Sequence, residues 1–362
     1  MEYLAWIVFG FTSLRLLVAV VNVFFEEKLS GRECEPVLVS ILVPARNESD
    51  NLRALINGLL TQPYRSIELI VCDDQSDDDT SQIVREYAQQ DSRVKLISVD
   101  ALPDGWLGKN HACHVLSSHA KGQYYLFIDA DVRIHGDVIH QLVAYAQHYG
   151  TGLISIFPKQ MMVTTGEKMM VPMMNHILMT LLPLVLVRLS GRSSLAAANG
   201  QVMFFSALHY KALQPHRQVK SEKVEDIAIA RLFKRSGVSV ACLAGDHRVN
   251  CRMYRGWSEA GNGFAKNVSA FFGGSMLMAL LFFLTGSLGI FVVAGYMHWG
   301  MLVLFVLMSL MISVLVSMVS RQHAGINLLL MIPRQMALGI VVLKAMRGMI
   351  TKQYIWKGRN VY

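Results

Sequence analysis

Two stretches near the C-terminus, Gly273 to Met297 and Trp299 to Val319, contain no charged residue. Each is long enough to cross roughly 30 Å of hydrocarbon as a helix. A third stretch, Tyr3 to Phe25, has Arg15 as its only charge, and no basic leader or small-residue cleavage site marks it as a signal peptide. The expected frame is one N-terminal span and a C-terminal transmembrane hairpin that breaks around His298. Ile326 to Ala345 is also apolar, but Pro333 and Arg334 fall within it, so it is expected to lie in the membrane interface rather than to cross. That leaves two or three C-terminal membrane helices.

The chain is 53% hydrophobic and 17% charged, which suits a protein divided between membrane and water. Its formal net charge of +8 gathers near the apolar segments, so a membrane surface or a phosphate outranks nucleic acid as the partner. Five cysteines, an odd number without a CxxC pair, read as reduced thiols on the cytosolic side. Lys28 and Arg32 follow the first span, and Arg252, Arg255 and Lys266 precede the hairpin. The positive-inside rule then puts the central domain and the tail, with Arg347, Lys352, Lys357 and Arg359, in the cytosol, and the N-terminus outside. The expected location is the cell membrane, with three full spans.

Between the anchors the pattern is that of a doubly wound α/β domain. The runs 37–43, 67–72, 94–99 and 124–129 read as strands, and Leu52, Leu55, Ile56, Leu59 and Leu60 repeat with helical spacing behind a cap at Ser49 or Asp50. The expected divisions are an anchor at 1–27, a catalytic domain at 36–270 and a membrane region at 271–362. Met169 to Val187 has the apolarity of a span. Crossing there would separate motifs that need one site, so it is expected either as a buried core helix or as an interfacial lid interrupted by Pro172 and Pro183.

In open α/β sheets, ligands bind beyond the carboxyl ends of the strands. Here those ends read PARNE (44–48), DDQSDDD (73–79) and DAD (129–131). No GxGxxG and no GxxxxGK[ST] occurs, which removes the usual dinucleotide and P-loop readings. Asp129 and Asp131 stand two apart at a strand end and suit a hard cation, Mg²⁺ or Mn²⁺, bridging a diphosphate. Lys109, in GWLGKN (105–110), starts a helical stretch and offers a second positive contact to phosphate or a solvated surface charge. Glu225 and Asp226 read either as a helix-start pair or as a general base.

Taken in order, PARNE, DDQSDDD, DAD, Glu225-Asp226 and RMYRGW (252–257) resemble glycosyltransferase family 2 over roughly Val37 to Trp257. The resemblance implies a glycosyltransferase-A fold, inverting chemistry, a UDP-sugar donor and a divalent metal. It assigns Pro44, Arg46, Glu48 and Asp73 or Asp74 to the nucleoside, Asp129 and Asp131 to metal and diphosphate, and Asp226, with Glu225 beside it, to the base. Arg252 and Arg255 would face the diphosphate and Trp257 the acceptor, although RxxRxW departs from the QxxRW motif of processive members, which makes polymer synthesis a poorer fit. GWLGKNHAC (105–113), Asn199 and Gln201 of the NGQ triplet, and WKGR (356–359) further resemble the branch that glucosylates carotenoids, hopanoids and related lipids. Asn199 and Gln201 are accordingly expected to bind the acceptor. The leading expectation is transfer of a sugar, glucose by that resemblance, to a membrane lipid. A polysaccharide synthase and a catalytically silent membrane scaffold are the rivals.

Overall fold

The computed structural model describes residues 1–351, 355–356 and 359–360. Lys352, and Lys357 and Gly358 of the WKGR stretch, lie outside the described residues. The chain divides into a sheet unit, residues 27–159 and 184–251, and a helical unit, residues 1–26, 160–183 and from 252 onward.

Up to Cys251 the strands in chain order are β1 (Val39–Ala45), β2 (Ile67–Asp73), β3 (Val94–Ser98), β4 (Tyr124–Ile128), β5 (Val132–Ile134), β6 (Leu153–Phe157), β7 (Lys159–Gln160), β8 (Val202–Ser206), β9 (Val240–Ala244) and β10 (Val249–Cys251). In the sheet unit, seven of them form one sheet in the order β3-β2-β1-β4-β8-β6-β9. β1 pairs in parallel with both β2 and β4, whereas β8 runs antiparallel to β4 and to β6. The sheet is therefore mixed rather than wholly parallel. β1 and β2 are buried almost throughout, as expected of strands with a helix layer on each face. The helix Ser49–Leu60 turns Leu52, Leu55, Ile56 and Leu59 inward. Its cap position is Glu48, one residue earlier than expected.

The reversed strand has a consequence for function. Ile128 at the end of β4 pairs with Val202 at the start of β8, so the residues just before β8 meet those just after β4. The register of one antiparallel pair thus brings Asn199, Gly200 and Gln201 beside the DAD turn.

In the helical unit, three helices are long and apolar enough to cross a membrane: Glu2–Phe24, Met276–Tyr296 and Trp299–Val319. Val8, Val293 and Phe305 form a small core where they meet. A Cβ on Gly289 would come within 2.9 Å of Val8 Cγ1, so that glycine permits the close approach.

The apolar stretch 169–187 is broken, with helices Thr165–Met170, Pro172–Leu181 and Val185–Leu189. Pro172 occupies a first-turn position, where its missing N–H costs nothing. The middle helix buries Met173, Met174, Ile177 and Met179 within the helical unit. Asn22 donates to the Met179 and Leu182 carbonyls at 2.9 and 3.0 Å, closing the end of that helix. The stretch 326–345 differs from its expected form. The break falls at Leu330, between helices Ala324–Leu329 and Met331–Thr351, and Pro333 sits in the first turn of the second helix.

Candidate active site

Asp129 and Asp131 follow β4 within a turn that the Val132 amide closes by donating to the Asp129 carbonyl at 3.1 Å. The turn, rather than the side-chain alternation of a strand, sets where both carboxylates start. The Asp129 amide donates to the Gln201 carbonyl at 3.0 Å, which ties the turn to the loop before β8.

Lys109 lies in the first turn of the helix Gly108–His119 and joins the acids. Its Nζ is 2.9 Å from the Asp129 carboxylate and 3.2 Å from Glu225 Oε1. Burial works against the ammonium, but Asp129 and Glu225 outweigh it and hold the Lys109 pKa well above its ordinary value. Burial pushes Asp129 up, with Lys109 opposing. Burial, then the Asp129 charge, raises Asp131 to about 6, with the Cys251 thiol and Lys109 opposing. Its Oδ2 accepts weakly from Gln201 Nε2 at 3.5 Å, and its buried Oδ1 has no hydrogen-bond partner among the described residues.

Glu225 and Asp226 open the helix Glu225–Arg235. Asp226 Oδ2 accepts from the Gly200 amide at 2.9 Å and Oδ1 from the Ile227 amide at 2.7 Å. Burial, then the neighbouring Glu225 charge, raises Asp226 to about 7 in spite of those amides and Lys109. A carboxylate poised near neutral pH can take a proton there. Gly200 leaves little room beside the cluster: a Cβ would meet the flexible ends of Glu225 (Oε1) and Lys109 (Nζ) at 3.1 and 3.2 Å.

The neighbouring strand ends form a second layer. Arg46 donates to the Asp74 carbonyl at 3.0 Å, and the Glu48 carboxylate accepts from Asn51 at 2.8 Å. Asp73 accepts from the Ser76 amide and from the Ser81 hydroxyl. Pro44 lies in β1, half-buried. Asn47 and Gln75, in the loops after β1 and β2, have φ of 52° and 57°. Asn199 and Gln201 are both 5% exposed. Asn199 Oδ1 accepts from the Gln201 amide at 2.8 Å, and Gln201 Nε2 donates to Cys251 Sγ at 2.7 Å.

Arg252, Arg255 and Trp257 belong to the helical unit. There Arg252 pairs with the fully buried Glu167 at 2.9 Å, and the Arg255 amide donates to Glu259 Oε2 at 2.7 Å. Trp257 is 39% exposed. Sequence reasoning did not anticipate Gly200, whose amide holds Asp226, or Cys251, which packs under Gln201. The NGQ triplet was a signal for the first and nothing local was a signal for the second.

Residues 40–202 match glycosyl transferase family 2. The chain carries a domain of that family. Among curated relatives, 4,4'-diaponeurosporenoate glycosyltransferase of Staphylococcus haemolyticus (strain JCSC1435) is 29% identical over 256 residues, 68% of this chain and 64% of the relative. The protein of the same name from Staphylococcus aureus (strain USA300) is 28% identical over 257 residues, 69% of this chain and 66% of the relative. In both cases the match spans slightly less than two thirds of the relative's length. Among solved structures, the mannosyltransferase PcManGT from Pyrobaculum calidifontis, in complex with GDP-Man and Mn²⁺, superposes with a TM-score of 0.58 at 13% identity, covering 95% of this chain and 98% of that one. That likeness is one of fold, and it agrees with the mixed α/β architecture of the family 2 domain.

The family 2 domain poses a metal question that its own residues answer. No group of three or more metal-ligating side chains is present among the described residues. The two DAD carboxylates nevertheless suit a hard cation. They supply oxygen ligands only, and among the described residues the buried Asp131 Oδ1 has no nitrogen or oxygen donor, only the weak Cys251 thiol standing near its carboxylate, a deficit that a cation removes.

Proposed function

We propose that this chain is an inverting, nucleotide-sugar-dependent hexosyltransferase that moves a sugar, glucose by the resemblance of its motifs to the lipid-glucosylating branch, from a UDP-sugar to a hydroxyl or carboxyl of a membrane lipid such as a carotenoid, hopanoid or other polyisoprenoid. The observation that carries the reading is the convergence of four carboxylates and one lysine where β4 ends and β8 begins. Membership of the domain in family 2 and the names of the curated relatives support it.

In this reading Asp129 and Asp131 hold Mg²⁺ or Mn²⁺, which when bound neutralises charge on a diphosphate leaving group. Asp226 accepts the proton of the acceptor hydroxyl while the new glycosidic bond forms and the nucleoside diphosphate departs, so no enzyme nucleophile is needed. Its two backbone amides fix the carboxylate's orientation. Lys109 keeps Glu225 and Asp129 from adding two uncompensated charges beside it. Pro44, Arg46, Glu48, Asp73 and Asp74 line the nucleoside side, Arg252 and Arg255 serve the diphosphate, and Trp257, Asn199 and Gln201 serve the acceptor. The three apolar helices cross the cell membrane with the catalytic domain in the cytosol, by the distribution of Lys and Arg around them.

The test is release of UDP by purified protein offered UDP-glucose, UDP-galactose, UDP-N-acetylglucosamine or GDP-mannose, followed by mass spectrometry of lipids from expressing cells. The reading requires one UDP-sugar to be turned over and one lipid to gain a hexose mass. Nucleotide release without any lipid product sinks the lipid-acceptor assignment. No release from any donor sinks the enzyme.

A further inference from the structure

Arg252 keeps a deficit that its ion-pair partner does not remove. Its Nη2 donates to Glu167 Oε1 at 2.9 Å, while its Nε is buried without a hydrogen-bond partner among the described residues. The side chain as a whole is 38% exposed, so part of the fork faces solvent. The carboxylate at the other end is held on all sides. Glu167 is fully buried in the first turn of the helix Thr165–Met170. Its Oε2 accepts from the Val163 amide at 2.7 Å, and its Oε1 accepts from the Thr164 hydroxyl at 3.0 Å as well as from Arg252. Thr164 accepts in return from the Glu167 amide at 3.3 Å, so that backbone and side chain are fixed together in the manner of a capping box.

Because the Val163 amide occupies Oε2, Glu167 grips Arg252 by one prong. The strong form of an arginine–carboxylate pair is bidentate, and here it is withheld. Stability alone does not account for such a pair, since apolar side chains in place of a buried ion pair are often as stable or more so. The two segments also meet without it: a Cβ on Gly166 would come within 2.8 Å of the Trp257 amide nitrogen. Glu259, another acid of the same unit, has its Oε2 engaged by the Arg255 amide at 2.7 Å. Glu167 itself is satisfied and is no ligand site. The deficit lies on the arginine, and planar donors of this kind suit a phosphate oxygen.

We propose that Glu167 is a positioning residue for Arg252, holding the guanidinium fork in the orientation that receives an oxygen of the donor's diphosphate. Glu167 touches no substrate. The proposal rests on the reading in which Arg252 serves the diphosphate, and it deepens that reading by saying what aims the arginine.

The test is calorimetry on the full chain in phosphatidylcholine nanodiscs with Mn²⁺, titrated with UDP and with uridine, which lacks both phosphates. The parent should bind UDP at least about tenfold more tightly than uridine, in line with charge-assisted contacts to phosphate. Glu167→Gln offers one acceptor oxygen where three donors converge, so the fork loses its anchor. UDP binding should weaken about fivefold, and uridine binding, which reports the fold of the nucleoside side, should stay within about twofold. Arg252→Gln should weaken UDP binding about tenfold, and adding Glu167→Gln to it should change nothing further, because a residue that acts through another has no effect once the other is gone. Arg252→Lys keeps the cation and loses the fork, so it should lose about as much UDP affinity as Glu167→Gln. Arg252 is partly exposed, so this variant decides the matter where Glu167→Gln does not fold. An unchanged UDP preference in Glu167→Gln, or losses that add in the double variant, overturns the positioning role. Tighter UDP binding by Glu167→Gln overturns it as well, since the carboxylate would then compete with the diphosphate. Full UDP affinity in Arg252→Lys overturns it by showing that charge counts and orientation does not. A parent without preference for UDP over uridine sinks the diphosphate role of Arg252 and this inference with it. A parent that prefers UDP, with variants that keep the preference, sinks the inference and leaves the proposed function standing.

Discussion

The two units hold charge of opposite sign in complementary ways. In the sheet unit, Asp129 and Glu225 share a single lysine, Lys109, while Asp226 is held by two backbone amides and Asp131 stands beside Asp129. In the helical unit, Arg15 lies 2.6 Å from His176 and Arg334 donates to Asn327, and among the described residues neither arginine is paired with a carboxylate. Each cluster is short of the opposite charge, and buried polar groups left short are costly. The sheet-unit cluster sets four carboxylates against the one Lys109 ammonium, and the helical-unit arginines have no carboxylate partner among the described residues. The sign of the deficit therefore identifies the ligand class more directly than the residue types do.

The largest effect expected from this contrast is at Asp131. Asp131→Asn removes the carboxylate with the unpartnered oxygen, and transfer should fall by at least about a thousandfold, roughly 4 kcal/mol of barrier. Stability should move the other way. Asp131 is raised to about 6, so at pH 7 the folded chain carries an ionised group that it holds less well than water does. Replacing it should raise the melting temperature of chelated protein at pH 7, a gain of order 1–3 kcal/mol, and the gain should vanish below pH 4. A variant that is both inactive and less stable would show that Asp131 is a structural group.

Next in size is Asp226→Asn, which keeps the shape and loses the proton acceptor. Transfer should fall by about 10²–10⁴, while calorimetry shows UDP affinity within about twofold of the parent. Retention of more than about a tenth of the rate, with Glu225→Gln inactive, would move the base to Glu225.

Lys109→Met should act more gently and with a distinctive pH signature. The Asp226 carboxylate must be ionised to accept a proton, so the rate should rise with pH through about 7. Lys109 pulls that pKa down, so its loss should move the midpoint upward as well as lower the plateau about tenfold. A lowered plateau with an unmoved midpoint would mean that Lys109 binds phosphate only and does not tune the base.

The strand-end motifs were legible because each sits within a few residues of a strand whose apolar run is plain. Their meeting was legible only in part. Asp129 and Glu225 lie far apart in sequence, and what joins them is the antiparallel placement of β8, which no local pattern announces. The amide of Gly200 reaches Asp226 for the same reason. In the helical unit Arg15 stood out as a lone charge in an apolar run, but its tie to His176 spans 161 positions and had no sequence signal. The helix break was misplaced because Pro333 was read as an interruption, whereas a proline in a first turn is a helix start.

The smallest effect on turnover is expected at Glu68, and it tests whether a deficit, rather than burial itself, marks a ligand site. Glu68 lies in β2, is 6% exposed, and accepts from Ser40 Oγ at 2.7 Å, the Lys121 amide at 2.7 Å and Lys95 Nζ at 3.1 Å. Burial pushes its pKa up, but these donors together carry it below the usual carboxylate range, the opposite of Asp131. A depressed folded pKa means that the stabilisation is present above the unfolded value and is lost as pH falls through the folded one. Glu68→Gln should therefore cost about 1.5–3 kcal/mol at pH 7, the difference should shrink below pH 4, and kcat should stay within about twofold of the parent. Urea unfolding at pH 7 and pH 3.5, with UDP release at pH 7, reads both quantities. A large loss of turnover at this fully satisfied carboxylate would break the contrast, because burial of a charge would then predict function whether or not the charge has partners.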